Sequence, residues 1–149
     1  MSIVRKITNH SSRTISIYIC IIFISSLMLY SGITKTINIY QFINTLSYYK
    51  YIPHNLYFFI GYTIPIVEVL IGILIWLRPL RKIIIISYSI LIILFIILLL
   101  VHYGSYMPYG CGCFGQNKPE TINYLIIIRD SICILPVIIY ILLHRTLKS

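Results

Sequence analysis

Long apolar runs separated by short polar segments are the main pattern of this chain. A helix that crosses the hydrocarbon core of a bilayer needs about 20 mostly apolar residues. Four runs reach that length, at residues 15–34, 55–77, 82–103 and 122–143. We therefore predict an all-α integral membrane protein, a four-helix bundle that forms a single domain over residues 1–149.

The composition supports the same class of protein. Of 149 residues, 59% are hydrophobic and 10% are charged, and the mean hydropathy is +0.93. A soluble domain carries about 25% charged residues. A chain this small cannot hide such an apolar excess in one globular core, so we expect the lipid bilayer to surround it.

The segments between the runs differ in character. Residues 35–53 form a polar, tyrosine-rich segment that ends at Pro53. We predict that it contains a short interfacial helix formed by Ile37, Tyr40, Phe42, Ile43 and Leu46. Residues 103–120 form a loop rich in glycine and proline. Many of the fourteen tyrosines lie near the ends of the runs, which is typical of an interfacial aromatic belt.

The net charge of +9 raises the question of nucleic acid, but the basic residues form short clusters between apolar runs instead of one stripe. Such clusters set the orientation of membrane proteins, because Lys and Arg favour the cytoplasmic side. One side of the four runs holds Arg5, Lys6, Arg13, Arg78, Arg81, Lys82, Arg145 and Lys148. The other side holds Lys50 and Lys118, with Lys35 at its boundary. We predict a bacterial inner membrane protein with both termini in the cytoplasm and loop 103–120 in the periplasm.

The first run also resembles the apolar part of a signal peptide, since basic residues precede it. The chain contains no alanine, so the usual A-x-A cleavage site is absent. We favour a retained first helix, with cleavage as the alternative.

Cys111-Gly112-Cys113 is the most specific local feature. Two cysteines one residue apart can join only in a tight, strained ring, and strained exposed disulfides are the exchangeable ones. Gly112 would help, because glycine tolerates backbone angles that other residues avoid. The spacing therefore favours redox exchange, and a possible thiol–disulfide oxidoreductase, over a structural staple, which would close a longer loop.

Metal binding is the alternative for these thiols. Two thiolates can hold a soft ion such as Cu(I) or zinc, and His102 or Met107 could complete the ligand set. His102 is more simply interpreted as an interfacial residue. Cys20 and Cys133 lie inside the runs, where a cysteine is usually an inert small hydrophobe.

Ionisable residues inside spans are expensive and are candidates for function. Lys35, Glu68, Arg129 and Asp130 could meet in the outer half of the bundle, beneath the cysteine loop. Such a group could be an ion-paired clamp, or a charged pocket in which Lys35 or Arg129 activates a thiol.

Helical spacing places further residues near these charges. Gly61, Pro65, Glu68 and Gly72 share one face of the second helix, where small residues allow close approach of a neighbour. Arg129, Cys133, Pro136 and Tyr140 are predicted to share a face of the fourth.

The chain resembles the MauE family of methylamine-utilisation membrane proteins, within the wider DoxX-like group. The resemblance rests on five motifs in order: Ser31-Gly32-Ile33-Thr34-Lys35; Tyr51-Ile52-Pro53; Pro65, Glu68 and Gly72; Cys111-Gly112-Cys113-Phe114-Gly115; and Arg129. Asp130 departs from the pattern, since it stands where an asparagine would be expected.

The resemblance implies a redox-associated protein that supports disulfide formation or maturation of a periplasmic partner, alongside a thioredoxin-like protein. A membrane quinone is one possible electron acceptor, by analogy with other four-helix thiol oxidases. A metal-binding or transport protein and a non-enzymatic assembly factor that anchors a partner are the alternatives.

Overall fold

The computed structural model describes the backbone of residues 2–112 and 119–148 and the side chains of residues 14–112 and 119–143. Its helices are α1 (Ser2–Ile37), α2 (Ile39–Ser47), α3 (Tyr57–Leu74), α4 (Arg81–Val101), α5 (Tyr124–Ile132) and α6 (Leu135–Lys148). A 3-10 turn at His54–Leu56 leads into α3. Two short strands, β1 (Tyr106–Met107) and β2 (Glu120–Thr121), complete the described elements.

Four helical stretches in the described part of the chain are long and apolar enough to cross a membrane: Thr14–Ile37, His54–Leu74, Arg81–Val101 and Tyr124–Leu143. They confirm the all-α membrane bundle. Most large apolar side chains on their outer faces are exposed, as expected when lipid and not protein covers them. The core is instead a narrow seam of buried residues between the helices.

α1 and α3 make the most extensive helix–helix contact among the described residues, and glycines let them approach closely. A Cβ atom on Gly32 would lie 2.7 Å from Cγ2 of Val69, and one on Gly72 would lie 2.7 Å from Cγ of Leu29. Neither position therefore has room for a side chain. The Ser25 hydroxyl also donates a hydrogen bond of 2.7 Å to the Gly72 carbonyl, which joins the two helices in a region without water.

The predicted inward face of α3 is confirmed. Gly61, Pro65, Glu68 and Gly72 are all buried. Gly61 faces α2, where an added Cβ would lie 2.5 Å from Cγ1 of Ile43. Small residues on one face of α3 thus allow α1 to pack closely at Gly72 and α2 to pack closely at Gly61.

The predicted short helix after the first span is α2, which buries Phe42, Ile43, Thr45 and Leu46. It ends at Ser47, one residue after the last predicted helix residue, Leu46, and Pro53 caps the 3-10 turn that follows. Pro53 has an extended backbone with φ of −64°, which suits proline because its ring fixes φ near −65°. The pairing of β1 with β2 in the following loop was not predicted from the sequence.

The fourth span is broken between α5 and α6. Pro136 has no N–H for the carbonyl one turn earlier, and the N–H of Cys133 and of Ile134 bond three residues back instead of four. The Cys133 carbonyl accepts a hydrogen bond of 2.7 Å from the hydroxyl of Tyr88, which is fully buried on α4. After the break, α6 packs against α1, whereas α5 packs against α4.

Replacing Tyr88 by Phe should destabilise the bundle. The Cys133 carbonyl would be left without its hydroxyl partner in an apolar seam, at a cost of about 1–3 kcal/mol in the free energy of unfolding. Unfolding of the purified protein in detergent micelles measures this. Tyr103→Phe, at an exposed position, is the matched control and should change little. Equal stability of the two variants would contradict this role for the hydroxyl.

Candidate functional site

Cys111 lies in the loop that follows α4, and its side chain is turned inward. The residue is only 2% exposed and belongs to the buried cluster that includes Met107 and Ile122. Its backbone is held on both sides. The N–H donates to Oε1 of Glu120 at 2.9 Å, and the carbonyl accepts from the hydroxyl of Tyr49 at 2.7 Å.

The Cys111 sulfur contacts a cation. Nη2 of Arg129 lies 3.4 Å from Sγ, and Nε of the same guanidinium donates to Oδ1 of Asp130 at 3.0 Å. The Arg129 side chain is 34% exposed, whereas that of Asp130 is 3% exposed. The buried carboxylate thus holds one edge of the guanidinium while another N–H reaches the sulfur. A cation in this position favours the thiolate form of a cysteine.

Arg129 does not share the buried face of the fourth span, contrary to the prediction. That face consists of Ile126, Asp130, Cys133, Val137 and Tyr140. Their spacing of four, three, four and three residues leaves Arg129 beside the face, from which its long side chain reaches across to the loop. Asp130 is therefore the residue that points into the bundle.

Lys35 and Glu68 form a second ion pair, between α1 and α3. Nζ of Lys35 contacts Oε1 of Glu68, and the two side chains are 0% and 1% exposed. Ser31 donates to the other carboxylate oxygen at 3.1 Å. The rings of Phe42 and Phe95 lie 5.2 and 4.6 Å from Nζ and complete its surroundings.

Phe42 connects this ion pair with the cysteine loop. Its ring lies near Lys35 and also against Gly112, where an added Cβ would be 3.2 Å from Cε2. Gly112 has φ of +74°, a conformation that favours glycine, as its position between the cysteines predicts. Of the two cations proposed to act on the thiols, Arg129 makes the direct contact to sulfur, whereas Lys35 is joined to Glu68.

His102 is a buried link between elements. Its Nε2 accepts the N–H of Lys50 at 3.0 Å, so the ring proton is on Nδ1, which lies 3.0 Å from the Leu98 carbonyl. The ring also packs edge-on against Tyr49 and Tyr51. Both nitrogens are engaged, so in this conformation His102 has no lone pair to offer a metal.

The other described residues of the alternative metal site do not form a cluster of ligands. Met107 is 1% exposed and packs in the loop core. Within residues 14–112 and 119–143, no three His, Cys, Asp or Glu side chains are grouped to hold a metal. Cys113 lies outside the described residues, as do Phe114 and Gly115.

The two cysteines in the spans are both buried. Cys20 lies on α1, and Cys133 lies at the break in the fourth span, where its thiol donates to the Arg129 carbonyl at 3.6 Å. That bond to the preceding turn gives Cys133 a local structural role.

An apolar groove of about 580 Å³ runs between α3 and α4. Phe59 and Ile64 line it from α3, and Leu94 lines it from α4. Cys111 contributes to its lining, together with Phe42 and Tyr49. The loop cysteine thus borders a space that the hydrocarbon phase can enter from between the two helices.

Tyr49 and Glu120 were not identified from the sequence as site residues. Tyr49 lies near the end of an apolar run, where an interfacial tyrosine is expected. Tyr51, Tyr103 and Tyr106 are exposed in that way, whereas Tyr49 is buried. Glu120 could have been identified from the sequence, because it is one of only three acidic residues and lies in the cysteine loop. Both residues act on the Cys111 backbone, and only the tertiary fold reveals that contact.

Four helical stretches are long and apolar enough to span a membrane, so the chain is a multi-pass membrane protein. At one end of the bundle, beneath a loop, the Cys111 sulfur contacts the Arg129 guanidinium. A family model described as Methylamine utilisation protein MauE matches residues 13–143, which is most of the chain. The chain therefore belongs to the MauE family, as its motifs indicate. No curated protein and no solved structure gives a match.

The Lys35–Glu68 pair predicts a strong coupling between its two members. Glu68→Gln leaves a buried ammonium without its counter-charge and should cost about 3–5 kcal/mol in the free energy of unfolding. Lys35→Met combined with Glu68→Gln should cost less than the single variant, because no unpaired charge remains. Both are measured by unfolding in micelles.

Lys50→Met is the control for loss of an exposed positive charge. It should change the free energy of unfolding by no more than about 0.5 kcal/mol. Additive effects of the Lys35 and Glu68 substitutions would mean that the two side chains do not stabilise each other.

Proposed function

We propose that this protein is a membrane thiol–disulfide relay that supports disulfide formation or maturation of a periplasmic partner. Cys111 and Cys113 would alternate between dithiol and disulfide. The contact of 3.4 Å between Arg129 and the Cys111 sulfur carries the proposal, because cations stabilise the thiolate that takes part in exchange. Membership of a family described by methylamine utilisation is consistent with service to a secreted or periplasmic enzyme.

The surroundings of Cys111 support exchange more than metal binding. A metal cation bound to the Cys111 sulfur would be repelled by the Arg129 guanidinium, which lies 3.4 Å from Sγ, whereas a thiolate in exchange is stabilised by it. The clamp from Glu120 and Tyr49 would keep the backbone in place while bonds to sulfur form and break. Lys35, Glu68, Arg129 and Asp130 would serve as the supporting charges.

The electrons removed from a client must leave the pair. A membrane quinone is our candidate acceptor, since the groove between α3 and α4 gives a lipid-soluble molecule access to the lining around Cys111. A thioredoxin-like periplasmic protein is our candidate on the water side. The relay would thus join a carrier in the bilayer to a soluble thiol protein.

The relay predicts that serine at either loop cysteine stops exchange. In cells, Cys111→Ser and Cys113→Ser should each lower the oxidised fraction of exported thiol proteins, measured by acid quenching and maleimide tagging. Cys20→Ser is the matched control, because Cys20 is a buried cysteine on α1 away from the loop. It should leave the oxidised fraction unchanged.

Three other outcomes would count against the relay. A wild-type pair that stays in one redox state under all growth conditions would be structural. Stoichiometric metal in the purified protein, lost in the serine variants, would indicate metal handling. Loss of a partner that depends on the protein but not on its thiols would indicate an assembly factor.

We further propose an inner membrane location with the cysteine loop in the periplasm. The structure carries Tyr106 at the loop end of the bundle and Leu77 in the turn at the opposite end, and both are exposed. In a variant without the four natural cysteines, Tyr106→Cys should react with a membrane-impermeant maleimide from outside the cell. Leu77→Cys should react only after the membrane is opened, and the reverse result would place the loop in the cytoplasm.

A further inference from the structure

We propose that the turn between α3 and α4 binds the headgroup of an anionic phospholipid. This basic turn, residues 75–82, carries Arg78, Arg81 and Lys82. It lies at the end of the bundle opposite the cysteine loop. The inference therefore goes beyond the proposed relay, and it holds whichever side of the membrane that end faces.

No acidic side chain of the protein neutralises the basic turn. The whole chain contains only three acidic residues, Glu68, Glu120 and Asp130. Glu68 and Asp130 bond cations inside the spans, and Glu120 bonds a backbone N–H of the cysteine loop. The three cations of the turn can therefore be neutralised only by an anion that is not a side chain of this chain.

The start of α4 adds to the positive potential of the turn. The first turn of α4 contains no acidic residue, and Leu80 at its N-cap makes no side-chain hydrogen bond to the helix. The N-terminus of a helix carries partial positive charge, so cations placed there are unfavourable. Arg81 and Lys82 nevertheless occupy the first two positions of α4. A bound anion would relieve the repulsion between these charges.

Contacts with the protein hold both arginines beside the turn. Nη2 of Arg78 donates to the hydroxyl of Tyr18 on α1 at 3.4 Å. Nε of Arg81 donates to the carbonyl of Ile75 at 3.3 Å, and its side chain is half-buried. A guanidinium has several N–H donors, so one bond to the protein orients each arginine and leaves donors for phosphate oxygens.

The position of the basic turn favours a lipid over a free anion. The turn joins two helices that are long and apolar enough to cross a membrane, so its cations lie at the level of the phosphate groups. Trp76, Leu77 and Leu80 are exposed beside them. Nε1 of Trp76 donates to Oγ of Ser25 at 3.1 Å, which fixes the indole against α1. A phospholipid offers a phosphate to the cations and acyl chains to this apolar surface.

The test uses Trp76, which is the only tryptophan of the chain and lies in the turn itself. The full-length protein is reconstituted in phosphatidylcholine vesicles that contain a fraction of lipid with brominated acyl chains, which quench indole fluorescence on contact. Brominated phosphatidylglycerol is compared with brominated phosphatidylcholine at the same mole fraction. Phosphatidylglycerol should quench Trp76 more strongly, because the cations of the turn concentrate the anionic lipid there.

Removal of the charges should remove this preference. Arg78→Gln, Arg81→Gln and Lys82→Gln should each lower the relative binding constant for phosphatidylglycerol by about two- to fivefold. Arg78→Lys, which keeps the charge, should retain most of the preference. Lys50→Gln is the matched control, because Lys50 is an exposed cation at the other end of the bundle, and it should change nothing. Equal quenching by brominated phosphatidylcholine in all variants checks that the turn keeps its structure.

Three outcomes would overturn the proposal. The first is equal quenching of the wild-type protein by the two brominated lipids, as expected if the basic residues only orient the chain during insertion in the cell. The second is a preference for phosphatidylglycerol that the three glutamine variants retain. The third is a preference lost in millimolar inorganic phosphate but kept in chloride of the same ionic strength, which would assign the turn to a free anion.

Discussion

The cost of placing charge in hydrocarbon is the constraint on which this structure depends. Lys35 and Glu68 are almost completely buried, and each is tolerated only because the other is in contact with it. Such contact requires α1 and α3 to approach closely, and Gly32 and Gly72 leave the space for that approach. The ion pair therefore depends on the two glycines, and together they set the distance between α1 and α3.

The same constraint organises the loop end of the bundle. The chain has only three acidic residues, and its net charge is +9. Each acidic side chain bonds a group in or next to the candidate functional site. Glu68 binds Lys35, Asp130 binds Arg129, and Glu120 binds the Cys111 backbone. Each acidic side chain thus binds either a cation or a backbone N–H group. Most of the other basic residues lie in the clusters outside the spans.

The break in the fourth span shows how the bundle makes room for this site. α5 packs against α4 and α6 packs against α1, so the two halves of one span face different neighbours. Tyr88 bonds the carbonyl that the break exposes. α5 packs against α4, and its Arg129 contacts a cysteine of the loop that α4 leads into.

The sequence by itself determined the class of protein, the four spans and most of the residues that carry charge or sulfur, since spans are set by length and apolarity and charges inside them are rare. It also identified the inward face of α3, because helical spacing alone decides which residues share a face. Only the tertiary structure decided the pairing of those charges and the surroundings of Cys111. Tyr49 is distant from Arg129 along the chain, and its meeting with Arg129 and Glu120 at one cysteine depends on how the helices pack.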